Sequence, residues 1–155
     1  MRTPPFMRLV MTRGVGPLLG ALPPSARVGR SMMRQIGHGA SLDAGTLSQD
    51  LLDWYLALQR YTDTSANEGR MIASLGGPLG FDRRLTIPDE VLGRVTSPTV
   101  FLWGEDDTFG GAEVAQRIVA AMPRASLQMM PDAGHLPWID DPDHAAKAVM
   151  DHLAG

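Results

Sequence analysis

The chain has 155 residues, of which 44% are hydrophobic and 20% are charged, so its length allows one domain with a sizeable core rather than two. Its formal net charge of −3 gives no electrostatic reason to expect nucleic acid or an anionic membrane surface as a partner. Because the sequence contains no cysteine, disulfides, thiolate metal sites and a cysteine nucleophile are excluded.

The first 24 residues are rich in proline and glycine, and we expect a loop there that holds one short helix. This stretch is basic and then apolar, as in a signal peptide, but polar residues, glycines and a proline interrupt its apolar part. No run in the sequence approaches the roughly 20 apolar residues of a membrane span. We therefore expect a soluble, cytoplasmic protein without a membrane anchor.

Two helices are predicted next. Ser25 can cap a helix that runs to Ile36, with Gly37 ending it. Thr46 and Gln49 then form a Thr-x-x-Gln capping box, in which each side chain satisfies a free backbone N–H of the first turn. Apolar residues recur at helical spacing along this second helix, namely Leu47, Leu51, Leu52, Trp54, Tyr55, Leu58 and Tyr61.

A second capping box, Ser65 with Glu68, predicts a third helix that ends at the Gly76-Gly77-Pro78 stretch. Its apolar residues are Met71, Ile72 and Leu75. The first ninety residues are therefore predicted to form a mostly helical layer without a strand of its own.

The pattern changes in the second half of the chain. Short runs rich in β-formers over residues 99–103 and 126–130 predict two buried strands, with an amphipathic helix over residues 112–122 between them. Asp141 can cap a last helix that has Pro142 at its first position. The order strand–helix–strand–helix favours a βαβ unit with parallel strands. We expect the inner face of the last helix to consist of Ala145, Ala148, Val149 and Leu153.

Two loops of this unit carry groups typical of catalysis. Parallel strands joined by one right-handed crossover end at the same edge of a sheet, where α/β folds place their chemistry. Residues 104–109 follow the first strand and contain acids, and residues 132–135 follow the second strand and end in His135. An acid on one loop can therefore face the imidazole on the other, fix its tautomer and stabilise the imidazolium as it forms.

The sequences of both loops resemble those of the α/β-hydrolase family. Residues 98–107 read Pro-Thr-Val-Phe-Leu-Trp-Gly-Glu-Asp-Asp, and residues 134–142 read Gly-His-Leu-Pro-Trp-Ile-Asp-Asp-Pro. The shared features are Trp-Gly-x-x-Asp, Gly-His, and an acid five and a proline seven positions after the histidine. The resemblance implies that Asp107 is the acid of a catalytic triad and His135 its general base, with the adjacent Asp106 as an alternative acid.

The resemblance is specific over residues 88–155, whereas residues 18–87 match only in position and helical content. It implies an α/β protein with a partial α/β-hydrolase fold. Residues 1–87 would be a helical cap, and residues 88–155 a strand–helix–strand–helix unit with parallel strands. The cap is expected to contribute to an apolar substrate pocket. The candidates for this pocket, for which a role in the core is the alternative, are Trp54, Tyr55, Leu58, Met71, Phe109 and Trp138.

The family's nucleophile lies on a Gly-x-Ser-x-Gly turn upstream of the cap, and this motif does not occur in the 155 residues. The closest stretch contains Ser74 but lacks the first glycine and follows no strand. Gly37-His38-Gly39 is similar to an oxyanion-loop motif, but it follows a helix and is interpreted as a cap loop. His144 and His152 are assigned to solvent-facing positions on the last helix.

We therefore expect the cap and C-terminal part of a hydrolase for ester or related bonds in a small apolar substrate. Without a nucleophile, this part is expected to be inactive alone. The alternative is a non-catalytic remnant that binds a partner or a small ligand. The acids and histidine of the two loops, together with Asp140, lack metal-ligand spacing, and no cofactor is expected. The sequence favours no oligomeric state.

Overall fold

The computed structural model describes residue 3, residues 5–12, residue 15 and residues 25–155. These residues divide into two compact units. The core unit contains residues 33–47 and 87–155, and the helical unit contains the described part of residues 2–32 together with residues 48–86. In the N-terminal stretch, the expected short helix is α1, Pro5–Val10. Much of the loop predicted around it lies outside the described residues.

The core unit is built on two strands, β3 (Thr99–Gly104) and β4 (Ala125–Met130), which pair in parallel. Helix α7 (Ala112–Ala121) connects them, and α9 (Pro142–Ala154) follows β4 after a short helix, α8 (Pro137–Asp140). The predicted strand–helix–strand–helix order is therefore confirmed. The remaining helices of this unit are α3 (Gly39–Ala44) and α6 (Asp89–Leu92).

Helix α9 begins as the sequence predicts. The Asp141 carboxylate accepts the backbone N–H of His144 at 3.0 Å, and Pro142 occupies the first turn. The expected inner face is only half correct. Ala145 and Ala148 are buried, Ala145 in a cluster with Met130 and Ala133, whereas Val149 and Leu153 are exposed because they lie further round the helix.

The helical unit contains α4 (Gln49–Tyr61) and α5 (Thr64–Ser74), followed by a 3₁₀ turn over Arg83–Leu85. Between α5 and this turn, β1 (Gly76–Gly77) and β2 (Gly80–Phe81) form a two-residue antiparallel ladder. The expectation of no strand in this part is therefore wrong. The Gly-Gly-Pro stretch ends the helix as predicted, and the chain then reverses through Gly80 at φ +116°.

Both predicted capping boxes are wrong. Helix α4 is capped by Ser48, whose hydroxyl accepts the Leu51 N–H at 3.4 Å, while the Thr46 hydroxyl donates to the Ser41 carbonyl at 3.3 Å. Helix α5 begins one residue before Ser65, so that residue lies inside the helix rather than at its cap. The cap of α4 therefore lies two residues after Thr46, and α5 begins two residues before the position that a cap at Ser65 predicts.

The periodicity of α4 predicts the helix but not its buried face. Leu52 is buried, whereas Trp54 and Tyr61 are exposed. Successive residues of an α-helix are rotated by about 100°, so Trp54 and Tyr61 share a face nearly opposite Leu52. Across the residues that the structure describes, no helix combines the length and the apolar character needed to cross a membrane.

Helix α2 (Ala26–Gln35) begins and ends as predicted. Ser25 accepts the Val28 N–H at 3.3 Å, and Gly37 ends the helix at φ +103°. The His38 N–H donates to the Met33 carbonyl at 3.0 Å, which is the 6→1 hydrogen bond of a Schellman motif. Helix α3 ends similarly at Gly45, with φ +69°.

These two glycines differ in the space around them, which gives a matched pair of substitutions. A Cβ atom at Gly37 would overlap the Asp106 carbonyl oxygen and lie 2.8 Å from the Gly134 Cα, whereas a Cβ at Gly45 would meet nothing within 4 Å. We expect Gly45→Ala to cost about 1–2 kcal/mol of unfolding free energy, the penalty for a left-handed backbone. Gly37→Ala should exceed that cost by about 1–3 kcal/mol, because backbone atoms cannot rotate away. Urea unfolding of both variants measures the difference, and equal losses would contradict this packing.

Tyr55 provides a pH-dependent prediction. Burial, reinforced by the nearby Glu68 carboxylate, raises the pKa of Tyr55 from 10.0 to about 12. Folding therefore favours the neutral phenol, and this contribution is complete below about pH 10 and is lost as the pH rises through about 12. The urea midpoint of the wild type should fall more steeply across this window than that of Tyr55→Phe. Tyr61→Phe, which removes an exposed phenol, should keep the wild-type slope, and equal slopes for wild type and Tyr55→Phe would contradict the prediction.

Candidate active site

The loops that follow β3 and β4 are joined to each other beyond the ends of the strands. The Glu105 N–H donates to the Met130 carbonyl at 3.0 Å, and the Asp106 N–H donates to the Ala133 carbonyl at 2.9 Å. At Gly104 the approach is so close that a Cβ would overlap the carbonyl oxygens of residues 133 and 134. The two loops therefore occupy one edge of the sheet, as their topology predicts.

Asp107 and His135 are hydrogen-bonded at this edge. The His135 Nδ1 lies 3.0 Å from the Asp107 Oδ2, and the other carboxylate oxygen accepts the Phe109 N–H at 2.8 Å. The Asp107 side chain is 7% exposed, whereas that of His135 is 45% exposed. A carboxylate fixed by the backbone thus faces a histidine that solvent reaches. Asp106 is exposed and uses its N–H to join the loops, so the geometry favours Asp107 as the partner of His135.

Phe109 is the pocket candidate that contacts the histidine. Its ring centroid lies 4.4 Å from that of His135, and the two rings are tilted by 52°. Trp138 lies exposed on α8. The four candidates on α4 and α5 belong to the helical unit, where Trp54 and Met71 are exposed and Tyr55 and Leu58 are half-buried. Their role in a substrate pocket stays a prediction.

The end of α2 contacts both loops. The His135 backbone N–H donates to the Ile36 carbonyl at 2.9 Å, and the Thr108 hydroxyl donates to the Gln35 carbonyl at 2.9 Å. The chain that leaves α2 therefore belongs to the immediate surroundings of the candidate site.

A buried cluster behind the histidine loop was missed from the sequence. His38 is completely buried, and its Nδ1 lies 2.7 Å from the Asp140 Oδ2. The same oxygen accepts the Gly134 N–H at 2.9 Å, and the Ser41 hydroxyl donates to the Asp140 Oδ1 at 2.6 Å. The sequence interpretation assigned Gly37-His38-Gly39 to the cap, whereas the structure groups these residues with the core unit. Residues 102 positions apart meet here, which helical periodicity does not reveal.

This cluster contains a serine, a histidine and an acid, but its geometry is not that of a catalytic triad. The Ser41 hydroxyl donates to the carboxylate and not to the imidazole, so no base is placed to remove its proton. The His38 Nε2 has no hydrogen-bond partner among the described residues, which costs about 1–3 kcal/mol for a buried polar atom. The cluster therefore offers interactions that hold structure rather than a second nucleophile.

The remaining serine and histidine candidates are hydrogen-bonded neither to the Asp107–His135 pair nor to the buried cluster. The Ser74 hydroxyl donates to the Met71 carbonyl at 2.7 Å at the end of α5, in a helix rather than on a strand–helix turn. His144 and His152 are exposed on α9. In the described ranges, no three histidine or carboxylate side chains come together as a group that could hold a metal ion.

The hydrogen bonds of His135 determine which of its ring nitrogens can take part in proton transfer. An ionised carboxylate only accepts hydrogen bonds, so the Nδ1 of His135 donates to Asp107 and the neutral ring carries its proton there. The Nε2 lone pair is then available to take a proton from another group. The arrangement can act as a base whose tautomer and orientation are set by an acid.

Comparisons with known proteins identify a family and several relatives of this chain. Residues 3–148 match the model of the alpha/beta hydrolase family. The 2-hydroxy-6-oxononadienedioate/2-hydroxy-6-oxononatrienedioate hydrolase of Cupriavidus pinatubonensis is 29% identical over 134 residues, which is 84% of this chain and 42% of that protein. The hydrolase with the same name from Paraburkholderia xenovorans is 33% identical over 63 residues, covering 41% of this chain and 22% of its own.

Among solved structures, Est816, described as an N-acyl homoserine lactone degrading enzyme, is 20% identical with a TM-score of 0.49. The match covers 86% of this chain and 53% of that chain. This chain thus spans less than half the length of the curated relatives it matches.

The tautomer of His135 is directly testable. In ¹⁵N NMR of the histidine side chains, we expect neutral His135 to carry its proton on Nδ1, because the Asp107 carboxylate accepts it. Asp107→Ala should abolish the Nδ1–H resonance, and His135→Gln assigns it. Asp106→Ala removes an adjacent but exposed carboxylate and should leave the resonance unchanged. Retention of the signal in Asp107→Ala would show that this hydrogen bond does not set the tautomer.

Proposed function

This chain belongs to the alpha/beta hydrolase family, and we propose that it supplies the acid and base of a nucleophile–His–Asp triad in a hydrolase of ester or related bonds. The observation that carries the proposal is the hydrogen bond between Asp107 and His135 at the joined carboxyl ends of two parallel strands. The similarity to proteins named as hydrolases supports it.

In this mechanism, a serine or aspartate nucleophile attacks the substrate and forms a covalent ester with it. Where the nucleophile is serine, His135 takes the proton of the attacking hydroxyl on Nε2 and delivers it to the departing group as the covalent ester forms. The freed Nε2 then takes a proton from water, which attacks the ester, and that proton passes to the serine oxygen as the product is released. Asp107 holds the ring and stabilises the imidazolium while the proton is on Nε2. Phe109 lies against the ring and limits its rotation, which keeps Nε2 directed toward the reacting group.

The 155 residues contain neither a Gly-x-Ser-x-Gly turn nor the same turn with aspartate in place of serine, and Ser74 lies in a helix. We therefore propose that the 155 residues alone do not hydrolyse esters, and that activity is a property of a longer polypeptide containing them. Two relatives are named for hydrolysis of 2-hydroxy-6-oxononadienedioate. This supports a substrate with a carbonyl group open to nucleophilic attack.

The first test is the intact mass of the native product. A mass well above 16.7 kDa, together with ester hydrolysis, is the expected result. A native product of 16.7 kDa without hydrolysis would overturn the proposal in favour of a non-catalytic remnant or a binding protein.

In the active native form, His135→Ala should lower kcat by about 10³–10⁶, because the general base is lost while other contributions to catalysis remain. Asp107→Asn should lower it by about 10⁴, because the amide no longer fixes the required tautomer. The matched controls are His144→Ala and Asp106→Asn, which alter an exposed histidine and an exposed acid. Hydrolysis of a p-nitrophenyl ester provides the measurement. Equal activity in each variant and its control would contradict the assigned roles.

A further inference from the structure

We propose that the buried cluster of His38, Ser41 and Asp140, here named the polar brace, positions His135 for its hydrogen bond with Asp107. The inference rests on the proposed function, in which His135 is the general base. It adds a set of positioning residues that lie behind the histidine loop and do not themselves meet the substrate.

The centre of the polar brace is the Asp140 carboxylate. Its side chain is 3% exposed, so bulk water does not solvate its charge. Protein donors replace that solvation, with His38 and the Gly134 N–H on Oδ2 and the Ser41 hydroxyl on Oδ1. Because these donors come from two separate segments of the core unit, the position of the carboxylate is fixed from both sides.

The carboxylate in turn fixes the backbone of the histidine loop. The Gly134 N–H is bound by Asp140, and the next N–H, that of His135, is bound by the Ile36 carbonyl. Two consecutive donors are thus held by groups outside the loop. The His38 ring also lies directly against Gly134, where a Cβ would be 2.8 Å from its Nδ1. The ring therefore limits how far the loop can move inward.

This restraint matters because the hydrogen bond between His135 and Asp107 tolerates only a small change in distance. The Nδ1–Oδ2 distance between His135 and Asp107 is 3.0 Å, and a hydrogen bond is lost by about 3.6 Å. A loop shift well under 1 Å would break the contact. A cluster that only stabilises the core would not affect the hydrogen bond between the His135 Nδ1–H and Asp107. A cluster that positions His135 would affect it, so an experiment can distinguish the two roles.

The test is ¹⁵N NMR of the histidine side chains in the 155-residue chain. Asp140→Ala removes the shared acceptor, and we expect loss of the His135 Nδ1–H resonance. Asp140→Asn should restore it, because the amide oxygen can accept from Gly134 and His38 while the amide nitrogen donates to Ser41. The control is Asp141→Ala, which removes the cap of α9 and lowers thermal stability but should keep the resonance.

A resonance that persists in folded Asp140→Ala would overturn the proposal. If that variant does not fold, His38→Phe decides, because it keeps the ring volume and removes one donor from Asp140. Weakening of the resonance would support the brace, and an unchanged resonance would overturn it. None of these readouts needs catalysis. Loss of the signal in Asp140→Ala, combined with no hydrolysis by the longer native form, would therefore overturn the proposed function alone.

Discussion

The constraint on which the site depends is the continuation of the β3–β4 pairing into the two loops beyond it. Neighbouring strands lie about 4.8 Å apart, and loops usually diverge once the ladder ends. Here the N–H groups of Glu105 and Asp106 keep donating to the facing chain, so the separation is maintained for two more residues. A carboxylate on one loop and an imidazole on the other, just beyond this point, are therefore within hydrogen-bonding distance. The hydrogen bond between Asp107 and His135 is the result.

The parts of this arrangement that depend on local chemistry could be predicted from the sequence. The apolar runs of β3 and β4, the Asp141 cap and the adjacent Pro142 each act within a few residues, and their elements lie where the pattern places them. The approach of the acid loop to the histidine loop is a non-local feature, yet it was also predictable. It follows from the handedness of one crossover between parallel strands, which needs no knowledge of side-chain packing.

The failures arise where several local solutions compete or where distant segments meet. Ser48 caps α4 in place of Thr46, whose hydroxyl donates to a backbone carbonyl instead. The sequence contains no signal that shows which of these two hydroxyls caps the helix. His38 lies in a polar, glycine-flanked stretch that is typical of a surface loop, yet it is completely buried. Only the fold reveals that Asp140 needs a donor at that place. The acid five residues after the histidine belongs to the family resemblance, but nothing in the sequence identifies its partner.

The crowding at Gly37, Gly104 and Gly134 has a consequence for how far such sequences can diverge. Each of these positions faces neighbouring atoms so closely that even a methyl group would overlap them. Any sequence that builds the same junction must keep glycine at all three. The interval from Gly104 to Gly134 is set by one helix and one strand and has little freedom to change. The interval from Gly37 to Gly104 includes residues 48–86 of the other unit, and insertions or deletions can accumulate there. A search pattern for distant relatives can therefore consist of three glycines. The interval between the first and the second is variable in length, and the interval between the second and the third is nearly constant.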